Sequence, residues 1–254
     1  MRLFLDIGNT AMKWRLNLPD GGCRQGGHAH QRDWWGLAAE LAQVCAQQPP
    51  AVLWVGSVAG READAELAQA LKAVLNVTPR FYYSPATDLG LRNAYADPAR
   101  LGVDRWLAVV EAWHREGAAI IVDCGSALTI DAVDADGMHL GGYIVPGLTM
   151  LRTSLFRGTA QVRVTDPVST SLAPGRSTSA GVENGVLRMS VAFITDVVVE
   201  LRKTLTDTCP VFMTGGDAAV LQPHLPFAAL ADADIVLDGL ERVVAAGASG
   251  EEPA

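Results

Sequence analysis

Apolar and polar positions along the chain alternate in two rhythms, and the changes of rhythm mark out its elements. Residues 2–8 are a short apolar run broken at Asp6. Residues 11–18 then alternate, with Met12, Trp14, Leu16 and Leu18 set against Lys13, Arg15 and Asn17. A period of two belongs to a strand with one buried face. Gly8-Asn9-Thr10 between the runs reads as a tight turn, because Gly and Asn tolerate unusual dihedrals. The opening is therefore strand, polar turn, strand. Helical spacing follows over 34–47, a near-continuous apolar run over 51–58 predicts a strand buried on both faces, and 61–75 is an Ala- and Leu-rich helix. A strand is expected at 81–83. A helix is expected from Pro98 to about Glu116, since Pro fits a first helical turn.

The opening pattern then returns. Residues 118–123 are a buried apolar strand ending at Asp123, Cys124-Gly125-Ser126 is a turn, and 127–133 alternates again. Similarity at such long spacing points to duplicated half-domains, with two Asp-Gly turns across one cleft. A third strand is expected at 137–146, a helix at 147–157, a long loop rich in Gly, Ser, Thr and Pro at 158–178, and a long helix at 181–205. A loop of that length is usually functional. Strand 210–213 runs through Thr214-Gly215-Gly216-Asp217 into a helix, and the chain closes with a strand at 235–237 and a helix at 240–246. Strands followed by helices throughout give an α/β class. The expected division is two duplicated halves, 1–115 and 116–247, with mixed sheets flanked by helices, and a disordered tail at 248–254.

Composition narrows the functional classes. The chain has 254 residues, 49% of them apolar and 19% charged, and a formal net charge of -8. No basic run is present to displace counterions, which argues against binding to a nucleic-acid backbone. Asp6 interrupts the N-terminal apolar run, so it reads as neither a signal peptide nor a membrane span. The four cysteines form no CxxC pair, as expected of reduced thiols in a cytoplasmic protein. The five histidines show no zinc spacing beyond His28-x-His30.

Candidate chemistry gathers at four places. In Asp6-Ile7-Gly8-Asn9-Thr10-Ala11-Met12-Lys13, the glycine lets backbone N–H groups approach a phosphate, Lys13 can neutralise its charge, and Asp6 can hold Mg²⁺, which favours one or two carboxylates plus phosphates. Taken alone, the segment is equally a hairpin with a solvated Asp. Asp123 to Thr129 repeats the logic with Ser126 and Thr129 as hydroxyls, and two matched turns favour a nucleotide-phosphate reading over two unrelated hairpins. Gly215 and Gly216 could let an adenine or ribose lie against backbone, or simply turn a strand into a helix. Asp104 and Arg105, side by side on a helix, point in different directions. Asp104 is a candidate base for a hydroxyl, and Arg105 a candidate fork for a carboxylate. Alone, they read better as a surface charge pair on a helix. Tyr95 and Thr178 are weaker hydrogen-bonding candidates.

The paired Asp-x-Gly turns resemble the phosphate motifs of the superfamily that joins sugar and acetate kinases, heat-shock chaperones and actin. More narrowly, Asp6-Ile-Gly-Asn-Thr-x-x-Lys13, Gly102-Val-Asp-Arg105, Asp123-Cys-Gly-Ser-Ala-Leu-Thr-x-Asp131 and Gly141-Gly-Tyr-Ile-Val-Pro-Gly147 resemble, in order, the motifs of the type III pantothenate kinases, which include the Bvg accessory factor. The resemblance implies ribonuclease-H-like, actin-like halves and ATP-dependent phosphorylation of pantothenate, the first step of coenzyme A biosynthesis. It implies that Asp6–Lys13 holds ATP phosphates and Ser126 contacts ATP. It implies that Asp104 accepts the proton, and that Tyr95, Gly102, Val103, Asp104, Arg105 and Thr178 bind pantothenate. It further implies a monovalent cation, K⁺ or NH₄⁺, at Asp123, and a homodimer. Ser126 stands where Thr is usual, and Ser177 and Gly181 also depart from the common pattern. Two other expectations stay open: a regulatory homologue without catalysis, and a nucleotide or polyphosphate hydrolase of the same superfamily.

Overall fold

The computed structural model describes residues 1–46, 48–158 and 170–249. The chain forms two compact units. One comprises Met1–Glu111 and the chain from Asp234 onward, the other Ala112–Ala233.

In the first unit, β1 (Arg2–Ile7), β2 (Ala11–Asn17) and β3 (Cys23–Ala29) make an antiparallel meander. Helix α1 (Trp34–Val44), capped by the Asp33 carboxylate on the Gly36 amide, leads to β4 (Val52–Ser57). Helix α2 (Arg61–Leu75) ends at Asn76 in the left-handed conformation, a common helix stop, and leads to β5 (Arg80–Tyr82). β4 and β5 run parallel to β1, giving the order β3-β2-β1-β4-β5. Leu3, Leu5, Ile7, Met12, Leu16, Leu53 and Val55 pack against Leu37, Leu41, Leu67 and Leu71 of the two helices. β6 (Thr87–Asp88) and β7 (Leu91–Arg92) form a small ribbon. A 3₁₀ turn at Pro98–Arg100 precedes α3 (Val103–Glu116), so the single helix expected from Pro98 is two pieces. The division between the units falls inside α3.

The second unit repeats the plan. β8 (Ala119–Cys124), β9 (Ala127–Val133) and β10 (His139–Pro146) form a meander. After α4 (Leu148–Gly158) and α5 (Thr178–Thr204) come β11 (Val211–Thr214), the short α6 (Ala218–Leu221) and β12 (Leu230–Ala231). The order β10-β9-β8-β11-β12, with β11 and β12 parallel to β8, matches the first sheet strand for strand. Its core joins Ile120, Val122, Leu128, Ile130, Val211 and Met213 to Val186, Leu187, Ile194 and Val198 of α5.

Three expectations need correction, and one strand was not expected. The apolar triplet 235–237 is not a strand: it opens α7 (Ile235–Ala245), where Leu240 and Val243 continue its buried face at helical spacing. β3 had no apolar alternation to announce it, being a largely exposed edge strand. α5 begins at Thr178, capped by Ser177 on the Ala180 amide, so Thr178 belongs to a helix start rather than to a loop. Lastly, α7, placed by sequence order in the second half, packs on β1, β2 and β4 of the first unit. Arg242 forks onto Glu111 at 2.6 and 3.0 Å, Arg15 meets Asp238 at 2.5 Å and Glu241 at 3.0 Å, and Gly239 lies against the backbone of Leu107, where a Cβ would collide. Residues 159–169 of the expected long loop and 250–254 of the expected tail lie outside the described residues.

Candidate active site

The first hairpin puts Asp6 and Lys13 opposite one another across the β1–β2 ladder. The side chains of Ile7 and Met12 face the core, so those two positions can offer a ligand only their backbone. Between them the Gly8 amide donates to the Ala11 carbonyl at 2.9 Å, closing the turn, while Asn9, Thr10 and Ala11 are exposed. The Gly8 carbonyl accepts from His30 Nε2 at 2.9 Å, and the His30 amide donates to the Thr10 carbonyl at 3.2 Å. His28 instead meets Glu40 at 3.3 Å. The two histidines therefore serve different partners.

A second group in the same unit lies at the start of α3. The Asp104 carboxylate sits in the first helical turn, where the helix dipole favours it, and accepts from the Arg105 amide at 2.7 Å. It folds back over Gly102, so that a Cβ there would come within 2.6 Å of Asp104 Oδ1. A side chain at position 102 would therefore displace the Asp104 carboxylate. Arg105 is only 7% exposed and donates through Nη1 to the Tyr95 hydroxyl at 2.9 Å. Tyr95 is held by Asn93, whose Oδ1 accepts its amide at 3.0 Å and whose Nδ2 reaches the Pro85 carbonyl at 3.2 Å. On the next helical position, Trp106 Nε1 donates to Tyr82, and Tyr82 donates to Asp88 at 2.6 Å. Burial, then Asp88, pushes the Tyr82 hydroxyl far above its ordinary range, so it remains a donor. Val103 is buried beside this group. Tyr95 and Arg105, singled out separately in the sequence, are thus one constellation. Asn93 gave no signal of its own, since an isolated Asn in a loop reads as a turn residue.

In the second unit, Asp123 stands opposite Thr129. The Gly125 amide donates to the Ala127 carbonyl at 3.1 Å, and the Ser126 carbonyl accepts from Gly147 at 3.0 Å. Gly215, at φ +88°, lies against Asp123 Oδ1 and the Cys124 backbone, and the Asp217 amide donates to the Cys124 carbonyl at 2.9 Å. Burial first, then Asp123 and Asp217, pushes the Cys124 thiol far up, which leaves it inert. Burial also raises the Asp217 carboxyl, against the opposing pull of Arg152 and the Leu148 amide. The corner is rich in oxygen, which suits a hard cation. Gly216 is exposed beside it, and Thr178 is exposed at the start of α5. Among the described residues, no three His, Cys, Asp or Glu side chains cluster as a metal site, and no helix is long and apolar enough to cross a membrane.

The duplicated five-stranded sheets define the actin-like, ribonuclease-H-like class of α/β proteins. Solved structures agree. The chain matches a Campylobacter jejuni protein described as a Baf family transcriptional activator, with TM-score 0.60 and 18% identity, covering 96% of this chain and 98% of that one. It also matches a Sinorhizobium meliloti protein described as a 2-dehydro-3-deoxygalactonokinase, with TM-score 0.60 and 14% identity, covering 97% of each. Sequence is more specific. The family model for type III pantothenate kinase matches residues 2–200. A type III pantothenate kinase of Alcanivorax borkumensis is 53% identical over 245 residues, covering 96% of this chain and 99% of the relative. One from Pseudomonas aeruginosa is 36% identical over 249 residues, covering 94% and 97%. The chain belongs to the type III pantothenate kinase family.

Proposed function

We propose that this chain transfers the γ-phosphoryl group of ATP to the primary hydroxyl of pantothenate, giving 4'-phosphopantothenate and ADP, the first step of coenzyme A biosynthesis. The observation that carries the reading is the constellation at the start of α3, where Asp104, Arg105 and Tyr95 share one short stretch of a family member's chain. Arg105, nearly buried and already bonded to a phenol, presents a planar fork suited to the pantothenate carboxylate. Asp104 takes the hydroxyl proton as the oxygen attacks phosphorus and the bond to the ADP oxygen breaks. Little else is asked of the protein chemically, because phosphoryl transfer depends on positioning and charge stabilisation.

Of the remaining assignments, those of Gly215, Gly216 and a Mg²⁺ at Asp6 follow from the residues themselves, and the others follow the family pattern. Residues Asp6–Lys13 hold ATP phosphates, with Lys13 opposing their charge. Ser126 contacts ATP, and Gly215 and Gly216 accommodate its adenosine. Gly102, Val103 and Thr178 complete the pantothenate contacts. Asp6, at a strand end opposite a lysine, fits a Mg²⁺ that keeps its waters and phosphate ligands; such an ion supplies neutralising charge to the phosphates. Asp123, with the oxygens around Gly215, fits K⁺ or NH₄⁺. A homodimer is supported by apolar side chains exposed on the second unit, Tyr143 and Ile144 on β10, Met150 on α4 and Met189 on α5. A cytoplasmic location is supported by four cysteines without a disulfide.

ADP release, measured with and without pantothenate and with and without K⁺, tests the reading. Release that requires pantothenate is the expected result. Release without an acceptor would make the chain a hydrolase, and no release a binding homologue. Asp104→Asn should keep the melting temperature and lose turnover by about 10²–10⁴; near-normal turnover in the folded variant would sink the base assignment. Arg105→Lys should raise the pantothenate KM about tenfold, and an unchanged KM would remove the carboxylate fork.

A further inference from the structure

We infer that His30 is a positioning residue for the first phosphate-binding turn, which it locks with backbone amides rather than carbonyls facing the anion; the inference rests on the reading that this turn binds ATP phosphates. A turn opened by glycine has a weakness. Gly8 has no Cβ to bias its dihedrals, so the peptide unit joining Gly8 to Asn9 can rotate at little cost. In a trans peptide the C=O and the following N–H point in opposite directions. One orientation of this unit offers a phosphate an N–H, and the other offers it a carbonyl oxygen, which repels it. His30 decides between them. Its Nε2 holds the Gly8 carbonyl at 2.9 Å and its amide holds the Thr10 carbonyl at 3.2 Å. With the Gly8 carbonyl held on the His30 side, the Asn9 N–H is aimed the other way.

The surroundings of His30 fix it for this task. The Arg32 amide donates to His30 Nδ1 at 3.0 Å, so the ring hydrogen sits on Nε2, the nitrogen that faces Gly8. That amide reaches the ring because Gln31 and Arg32 both adopt left-handed backbone, at φ 45° and 62°. Two successive non-glycine residues in this region are strained, and such strain persists where the surroundings over-determine it. The Asp33 amide bonds the His30 carbonyl at 2.8 Å, and the Asp33 side chain caps α1. His30 is 4% exposed, and its ring packs on Trp34 with centroids 4.9 Å apart.

Steady-state kinetics on four chains tests this. His30→Phe keeps an aromatic ring against Trp34 but has no donor, while His30→Gln keeps a donor of similar reach. His30→Phe should raise the ATP KM about tenfold, the worth of one such bond, and move the pantothenate KM less than about twofold. His30→Gln should restore most of the ATP affinity. Lys13→Ala is the control on the underlying reading. If it raises the ATP KM and His30→Phe does not, the role of His30 is overturned and the turn remains the phosphate site. If neither moves the ATP KM, the turn reading itself fails. If Gln is as damaging as Phe, the donor is not what matters and the proposal is overturned. Should His30→Phe fail to fold, His30→Asn, too short to reach Gly8, replaces it. Loss of fold in both assigns His30 to stability alone and ends the proposal.

Discussion

In the first hairpin Ile7 faces Met12, and the four residues 8–11 make the turn; in the second Cys124 faces Leu128, and the three residues 125–127 suffice. The shift changes what stands opposite the aspartate, a lysine across from Asp6 and a threonine across from Asp123. The bracing differs as well. A side chain, His30, holds the first turn, whereas the second is hemmed in by backbone from Gly147 and Gly215. Similar letters therefore build two different devices. The first carries a fixed cation and is adjustable by side-chain chemistry. The second has no amine opposite its acid, which accords with the proposed monovalent cation, and the two glycines packed against it, Gly147 and Gly215, leave no room for a Cβ.

The sharpest way to break this contrast is to remove what stands opposite each aspartate. Lys13→Ala should lower kcat/KM for ATP by about 10²–10³, the scale of losing one charge-stabilising donor, while Thr129→Val should cost less than about tenfold. Equal losses in steady-state assays would make the two hairpins equivalent. The bracing can be probed next by chemical denaturation. A Cβ on Gly147 would collide with the Gly125 carbonyl and come within 2.7 Å of the Ser126 carbonyl oxygen, and one on Gly215 would strike the Cys124 backbone. Alanine at either should cost about 2–4 kcal/mol. Gly8→Ala meets only the Ala11 carbonyl, at 3.1 Å, and should cost about 1 kcal/mol or less.

The smallest effect concerns two acids, Asp64 buried and Asp217 half-buried, that follow β4 and β11. Asp64, 1% exposed, accepts from Ser57 at 2.5 Å and Tyr83 at 3.0 Å, and Asp217 follows β11. Burial, the largest influence, raises both carboxyls above their ordinary value despite these partners. Such a group holds its proton in the folded state where the unfolded chain has released it. Stability therefore falls as pH rises from the ordinary carboxylate pKa, about 3.9, toward the raised value. An asparagine has no proton to lose. Relative to the parent, the melting temperature of Asp64→Asn should improve by about 2 °C between pH 4 and pH 7, and that of Asp217→Asn by less. A trend of opposite sign would mean that the hydrogen bonds outweigh burial.

Much of this fold was legible because its strands announce themselves. The apolar runs at 51–58 and 118–123 are central strands, and the alternation at 127–133 matches β9 residue for residue. Legibility ended where burial did. β3, with exposed Cys23, Arg24 and Gln25 and the pair Gly26-Gly27, carries no hydrophobic face to read. The triplet 235–237 misled because three apolar residues are too few to separate a strand from a helix. At the site, the Asp-Gly turns and the Asp104-Arg105 pair stood out as residue types with obvious chemistry. His30 and Asn93 did not, because what they do is bond backbone groups, Gly8 for one and Pro85 and Tyr95 for the other, and residue type alone does not name those partners.

Helix α7 has a consequence for biosynthesis. Three-quarters of the way along the chain the ribosome has already released every strand of the first sheet, but not the Asp238, Glu241 and Arg242 side chains that complete the surroundings of Arg15 and Glu111. Ala112–Ala233, by contrast, is uninterrupted. Emergence in order from the N-terminus therefore does not translate into completion in that order: the later-made unit can be finished first, and the earlier-made one must wait for the final helix.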